Sequence, residues 1–219
     1  MNVENKTIVL LSGGLDSTTL LYHQLAQGDK VQAISFFYGQ KHARELRHAE
    51  SICSNLDVES TMFNLASIQG AFRGSCLTDT GIDVPADDGF YATKTITVVP
   101  NRNTVFLSIA VAKALSDRFN QVAYAAHASD YEIYPDCRPI FVEKFQEVID
   151  VANQISIRIV APFLHHDKAD IVKLGIELGV PFEKTWSCYR GGAKPCGVCS
   201  TCIERNRAFE ENGIVDPAL

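Results

Sequence analysis

The hexapeptide Ser12-Gly13-Gly14-Leu15-Asp16-Ser17 follows an apolar run, Thr7 to Leu11, and precedes Thr18 to Gln27, where Leu20, Leu21 and Leu25 recur at helical spacing. A strand that breaks at two glycines and turns at once into a helix restricts the chain to few architectures. The first turn of that helix leaves backbone N–H groups unpaired at its positive end. Where glycines let the backbone approach a ligand, such a turn is an anion cradle. Ser12 and Ser17 add hydroxyl donors, and Asp16, which would repel a bare phosphate, points to a bridging Mg2+ that takes carboxylate and phosphate oxygens together. The plainer reading is a tight turn in which Ser12 or Asp16 caps the helix. The Walker pattern is excluded, because it needs a Gly-Lys-Ser/Thr ending that is missing here.

The same alternation continues along the chain. Val31 to Phe37, Val58 to Leu65, Gln121 to Ala126 and Ile155 to Val160 read as strands. Lys41 to Asn55, with Leu46, Ala49, Ile52 and Cys53 on one stripe, reads as a helix, as do Asn103 to Leu115, Pro139 to Asn153 and Lys168 to Leu178, the last closed by Gly179. The expected fold class is α/β: a mostly parallel, doubly wound sheet covered on both faces, with ligands beyond the carboxyl ends of its strands. Residues 67–94, rich in Gly, Asp and Thr and carrying Pro85 and Asp87-Asp88, have no sustained period. They read as an active-site loop or as a merely mobile surface loop.

The net charge of −6 argues against a broad basic surface for nucleic acid. The amino terminus is polar and the apolar run after it is short, so no signal peptide or membrane span is expected and the chain is placed in the cytoplasm. Of the 7 cysteines, Cys188, Cys196, Cys199 and Cys202 crowd together as C-x7-C-x2-C-x2-C, while Cys53, Cys76 and Cys137 are scattered. In a reducing compartment this pattern favours a metal over disulfides, and four thiolates suit a closed, structural Zn2+. An iron–sulfur cluster and buried free thiols are the other readings. The chain therefore divides into a main domain, 1–180, and a helical zinc-binding segment, 181–219.

The hexapeptide resembles the Ser-Gly-Gly-x-Asp-Ser motif of the PP-loop ATP pyrophosphatases. Phe37-Tyr38-Gly39-Gln40-Lys41-His42, Val99-Pro100-Asn101-Arg102-Asn103, Tyr134-Pro135-Asp136-Cys137-Arg138, Asp167-Lys168-Ala169 and the four-cysteine tail resemble elements of one branch, the 7-cyano-7-deazaguanine synthases. The resemblance implies that ATP with Mg2+ lies along Leu10, Leu11, Ser12, Gly13, Gly14, Leu15, Asp16, Ser17, Thr18, Thr19 and Leu20, and against Gln40 and Arg102. It implies a deazapurine held by Tyr38, Lys41, His42, Asp130, Tyr134, Asp136 and Arg138. Catalytic roles are expected of Asp16, Arg102, Asp136, Arg138 and Lys168. The implied reaction joins 7-carboxy-7-deazaguanine and ammonia through an acyl adenylate and an amide to a nitrile, releasing AMP and pyrophosphate, often in homodimers.

Each residue also has a plainer reading. Arg102 is then a surface cation, Asp136 and Arg138 a solvated ion pair worth under about 1 kcal/mol, His42 and His127 ordinary polar side chains, Tyr38 and Tyr134 core rings, and Cys137 a buried thiol. Asn101 stands where the family has Gly, and Glu132-Ile133 where Ser-Gly is frequent. Those departures leave open a paralogue that passes the activated carboxyl to a protein amine, as in anti-phage defence. A tRNA-modifying PP-loop enzyme and a non-catalytic nucleotide sensor are the remaining alternatives.

Overall fold

The computed structural model describes residues 5–87 and 94–218. Five strands, β1 (Lys6–Leu10), β2 (Lys30–Phe37), β3 (Ser60–Asn64), β4 (Gln121–Ala123) and β5 (Arg158–Val160), form one sheet in the order β3-β2-β1-β4-β5. Every pairing is parallel, with Leu10 opposite Ile34 and Val9 opposite Ala123. The helices are α1 (Leu15–Ala26), α2 (Arg44–Asn55), α3 (Arg102–Asp117), α4 (Pro139–Ala152), α5 (Lys168–Glu177) and α6 (Ser200–Glu211).

A parallel sheet covered on both faces needs apolar side chains in both directions along each central strand. Ile8, Ile34 and Val122 enter one buried cluster, with Leu107 of α3 and Ile149 of α4. Their chain neighbours Val9, Ala33 and Ala123 enter the other, with Leu20 of α1, Ile52 of α2, Ile171 of α5 and Phe209 of α6. The strand order reverses between β1 and β4, so the crevice beyond their carboxyl ends is the switch point where such sheets hold ligands.

Boundaries shift for local reasons. Helix α1 begins at Leu15, ahead of the expected Thr18, because extended Gly14 already serves as its N-cap; Asp16 and Ser17 thus lie in its first turn. Helix α2 begins at Arg44 instead of Lys41, whose N–H donates to Leu77 O and whose ammonium donates to Ile82 O. Strand β4 stops at Ala123, leaving 124–127 free to face the crevice, and Ile155, 66% exposed, precedes β5 instead of joining it. Within 67–94, Ala66–Phe72 is a 3-10 helix, and Phe72, Cys76 and Leu77 are buried in the first cluster. That part packs into the core and is tied to the segment after it by hydrogen bonds such as Cys76 N–H to Ile96 O at 2.9 Å. Asp88 lies outside the described residues.

The C-terminal residues pack against the same core. Arg205 donates to both carboxylate oxygens of Asp216, at 2.6 and 2.8 Å, and also to Thr185 Oγ1 and Phe182 O. Both members are buried, at 5% and 2% exposure. Phe182 stacks edge-on against Phe209 at 5.1 Å.

Two stability outcomes follow. Arg205→Met leaves the Asp216 carboxylate buried without its cation and should cost about 3–5 kcal/mol in urea unfolding, whereas the double variant Arg205→Met/Asp216→Leu should recover most of that loss. Gly13 has φ +88°, and a Cβ there would meet Glu45 O at 2.2 Å. Gly13→Ala should therefore lower stability by at least about 2 kcal/mol, read as a fall in Tm.

Candidate active site

The turn after β1 is tied by its own hydroxyls. Ser12 N–H donates to Ser17 Oγ at 3.2 Å, Gly14 N–H donates to Ser12 Oγ at 3.1 Å, and the two serine oxygens lie 3.0 Å apart. Trp186 N–H donates to Gly13 O at 2.9 Å, pinning the turn from the C-terminal side. The first-turn amides of α1 therefore face the crevice from a rigid base, as an anion site requires.

Asp16 stands in that first turn with Lys168 Nζ at 3.3 Å and His127 Nε2 at 3.8 Å. Burial alone would raise its carboxyl, but Lys168 and His127 outweigh it and hold Asp16 below the usual carboxylate range. Lys168 is raised in turn: burial works against its charge, and Asp16, Glu204 and Asp130 more than offset it. Asp16 Oδ1 is buried and makes no hydrogen bond. An anionic oxygen left open beside a phosphate cradle has the donor chemistry of a divalent-cation ligand, so the residues fit a bound Mg2+. Lys168 is placed by α5, whose N-cap Asp167 forms a capping box with Asp170.

Beyond the turn, a cavity of about 240 Å3 runs along the ends of β1, β2 and β4. Its lining also carries Tyr38, His42, Glu45, Arg102, Tyr134 and Tyr189. Tyr38 packs edge-on against Phe106 at 5.2 Å, and His42 lies 5.6 Å from Tyr189. Burial pushes the His42 imidazole down to about 3, with Arg102 adding to the effect. Burial pushes the Glu45 carboxyl up to about 8, against the pull of Arg102 and Gln40. Arg102 is held charged: burial opposes its charge, but Tyr38 and Asp136 raise it.

Arg102 is thus a partly buried cation of the cavity wall and not a surface one. The residue before it, Asn101, has φ 53° and ψ 24°. This is the left-handed region, where Gly is easiest and Asn is the best-tolerated side chain. Asn101 therefore keeps the turn that a glycine would make, at a smaller conformational cost than other side chains would incur there.

The other predicted site residues divide. Leu10, Leu11, Ser12, Gly14, Leu15, Asp16 and Ser17 line the cavity, as do Tyr38, His42, Arg102, Asp130, Tyr134 and Lys168. Gly13, Thr18, Thr19 and Leu20 lie behind the surface; Thr19 Oγ1 donates to Leu15 O and Leu20 is core. Gln40 is buried, donating to Phe36 O and accepting from Tyr38 N–H, both at 2.9 Å, so it shapes the strand end. Lys41 is turned to Ile82 O. Asp136 accepts from Asn103 N–H at the start of α3, and Arg138 Nε donates to Tyr131 O. Among the described residues Asp136 and Arg138 make no ion pair with one another, which corrects the solvated-pair reading.

Glu45, Tyr189 and Glu204, which no sequence motif marks, also line the cavity, as does His127, whose plainer reading is an ordinary polar side chain. Glu45 had a signal. It stands with Ala49, Ile52 and Cys53 on the buried face of α2, a carboxylate at a core position. His127 is 1% exposed, with Nε2 3.3 Å from Asp130 Oδ2.

The four tail cysteines come together. Each offers a sulfur within 4.8 Å of the others, and Cys196 and Cys202 are 4.0 Å apart. Tetrahedral thiolates about 2.3 Å from a zinc ion would stand about 3.8 Å apart. Cys188 Sγ accepts from Cys196 N–H and Cys196 Sγ from Cys199 N–H, contacts that favour thiolates. The residues can hold a metal ion. Among the described residues no helix is long and apolar enough to cross a membrane.

The model of the family described as "Queuosine biosynthesis protein QueC" matches residues 6–213. A 7-cyano-7-deazaguanine synthase of Psychromonas ingrahamii is 44% identical over 217 residues, covering 98% of this chain and 97% of that protein. One from Archaeoglobus fulgidus is 46% identical over 217 residues, covering 98% and 90%. Among solved structures, a 4-thiouridine synthetase in complex with RNA and ATP shares the fold at TM-score 0.52 and 16% identity, over 80% of this chain and 41% of that one. The NMN synthetase of Francisella tularensis does so at 0.51 and 15%, over 96% and 78%. With a phosphate-type turn at the sheet's switch point and a family match along nearly its whole length, the chain belongs to the QueC family.

Proposed function

We propose that this chain converts 7-carboxy-7-deazaguanine and ammonia to 7-cyano-7-deazaguanine at the expense of two ATP, each cleaved to AMP and pyrophosphate. The observation that carries the reading is the pairing, in one cavity, of the Ser12–Ser17 turn with an aromatic wall that can hold a flat heterocycle. Relatives named 7-cyano-7-deazaguanine synthase, at 44% and 46% identity, support it. Asn101 keeps the left-handed turn that a glycine would make, so this departure leaves the backbone before Arg102 in place.

On this reading the amides of Gly14 to Ser17, with the Ser12 and Ser17 hydroxyls, hold the β and γ phosphates that leave as pyrophosphate. Asp16 would hold Mg2+, which when bound neutralises charge developing on phosphoryl oxygens. Lys168, kept protonated beside Asp16, and Arg102, kept protonated beside Tyr38, supply fixed positive charge at either side of the α phosphorus. The substrate carboxylate attacks that phosphorus and pyrophosphate leaves. Ammonia then displaces AMP from the acyl adenylate, giving the amide and a proton. The amide oxygen attacks a second ATP, and loss of AMP with two protons from nitrogen leaves the nitrile. Asp136 and Arg138 act through backbone contacts that set α3 and the Tyr131 turn. The C-terminal thiolates would hold Zn2+ in a closed structural site, with no water position needed for catalysis.

Incubation with 7-carboxy-7-deazaguanine, Mg-ATP and ammonium should release AMP and yield the nitrile by mass spectrometry; intact ATP would overturn the reading. Asp16→Asn should reduce turnover at least about 100-fold while Tm moves by only a few degrees. Cys199→Ser should do the converse, losing stoichiometric zinc in elemental analysis and unfolding at lower temperature.

A further inference from the structure

The cavity wall contains carboxyl groups with different obligations. Asp16 is matched to Lys168 at 3.3 Å, Asp130 stands 3.3 Å from His127, and Glu204 faces Lys94 at 3.5 Å. Glu45 is different. Its ion-pair geometry is with His42 Nε2 at 3.5 Å, an imidazole that burial keeps neutral, and the nearest full charge acting on it is that of Arg102. A carboxyl group 9% exposed, on the buried face of a helix and lining a cavity beside Gln40 and Arg102, has further lone pairs that the N–H donors of a ligand can meet.

The two nucleotide-like ligands of the proposed reaction offer different edges. A 7-deazaguanine ring presents N1–H and a 2-amino group side by side, two parallel donors matched to the two oxygens of a carboxylate. Adenine presents one donor and one acceptor on the corresponding edge, a poor match to an ionised carboxylate. Tyr38, Phe106 and Tyr189 supply apolar ring surface in the same cavity.

We infer that Glu45 is the specificity-determining residue for the deazapurine: its carboxylate accepts hydrogen bonds from N1–H and the 2-amino group. This assignment rests on the reading of the chain as a 7-carboxy-7-deazaguanine-using enzyme. Burial pushes the Glu45 carboxyl up to about 8, and ligand donors, like Arg102 and Gln40, act in the opposite direction by favouring the carboxylate. No covalent step involves it. Glu45 selects the ring.

The test compares AMP release with 7-carboxy-7-deazaguanine and with its 2-deamino counterpart, in wild-type protein and in Glu45→Gln. A site built on paired hydrogen bonds should reject the 2-deamino compound strongly, by about 100-fold or more in kcat/KM. Glu45→Gln should lose about 100-fold on the 2-amino substrate and change less than about threefold on the 2-deamino one, so that the preference collapses while KM for ATP stays unchanged. An unaltered preference ratio in Glu45→Gln would overturn the assignment. So would a rise in KM for ATP shared by both substrates, which would place Glu45 on the nucleotide. Should Glu45→Gln fail to bind ATP in calorimetry, Glu45→Asp decides: retention of the 2-amino preference with a raised KM supports the assignment, and its loss overturns it. Wild-type protein that releases no AMP with 7-carboxy-7-deazaguanine would overturn the functional reading and this assignment together.

Discussion

The close approach of α2 to the turn after β1 is the contact on which the site depends. Gly13 lies so near the backbone of Glu45 that no side chain fits between them, and its carbonyl is taken by the Trp186 N–H from the opposite flank. A turn held from two sides keeps its amide donors aimed at one point without reorganising when a ligand arrives, which is the condition under which fixed dipoles help most. The same approach delivers the Glu45 side chain to the cavity. Packing and recognition therefore share one helix face, with Ala49, Ile52 and Cys53 anchoring it in the core.

Charge in the crevice is arranged in near-compensating groups. Lys168 and His127 stand by Asp16, Asp130 stands by His127, and Arg102 lies between Tyr38 and Glu45. Such pairs add little net stability when the cost of taking both charges from water is counted. Their value lies elsewhere: positive groups are kept protonated in a partly dry cavity where a highly charged substrate must bind. Glu45 differs in that burial outweighs both Arg102 and Gln40 and pushes its carboxyl up.

Much of the architecture is legible in the sequence because periodicity and burial agree. Ile8 and Val9, Ala33 and Ile34, and Val122 and Ala123 are apolar neighbours facing opposite ways, the signature of a strand covered on both sides. The turn is legible because two glycines between a strand and a helix have few other uses. The placement of Gln40, Lys41, Asp136 and Arg138 is less so. Each lies within a recognisable motif, yet each side chain is spent on backbone atoms of a neighbouring turn, a choice made by contacts 2 to 41 residues away that no local spacing reveals. Glu45 and His127 escape for the converse reason. A lone carboxylate on an apolar stripe and a lone imidazole after a strand acquire meaning only when the fold brings Arg102 and Asp16 beside them.

The position of the cysteine cluster follows from the same geometry. Between the 3-10 turn Phe182–Lys184 and the start of α6 the chain has neither helix nor strand, yet Trp186, Ser187 and Tyr189 from that stretch line the cavity and Trp186 pins Gly13. An irregular segment has few backbone hydrogen bonds to hold it, and the apolar cluster formed by Trp186 with Cys188, Cys199 and Cys202 is small. Four thiolates on one ion would supply the missing rigidity at the place where the wall of the cavity is otherwise weakest. Cys188 is next to Tyr189, and Cys199 and Cys202 flank Ser200 and Thr201, so the cluster sits directly behind the residues it would fix. Its distance from the phosphate turn in sequence hides a direct connection: Trp186 packs with the cysteines and donates from its ring N–H to Cys188 O, and its backbone N–H holds the carbonyl of Gly13.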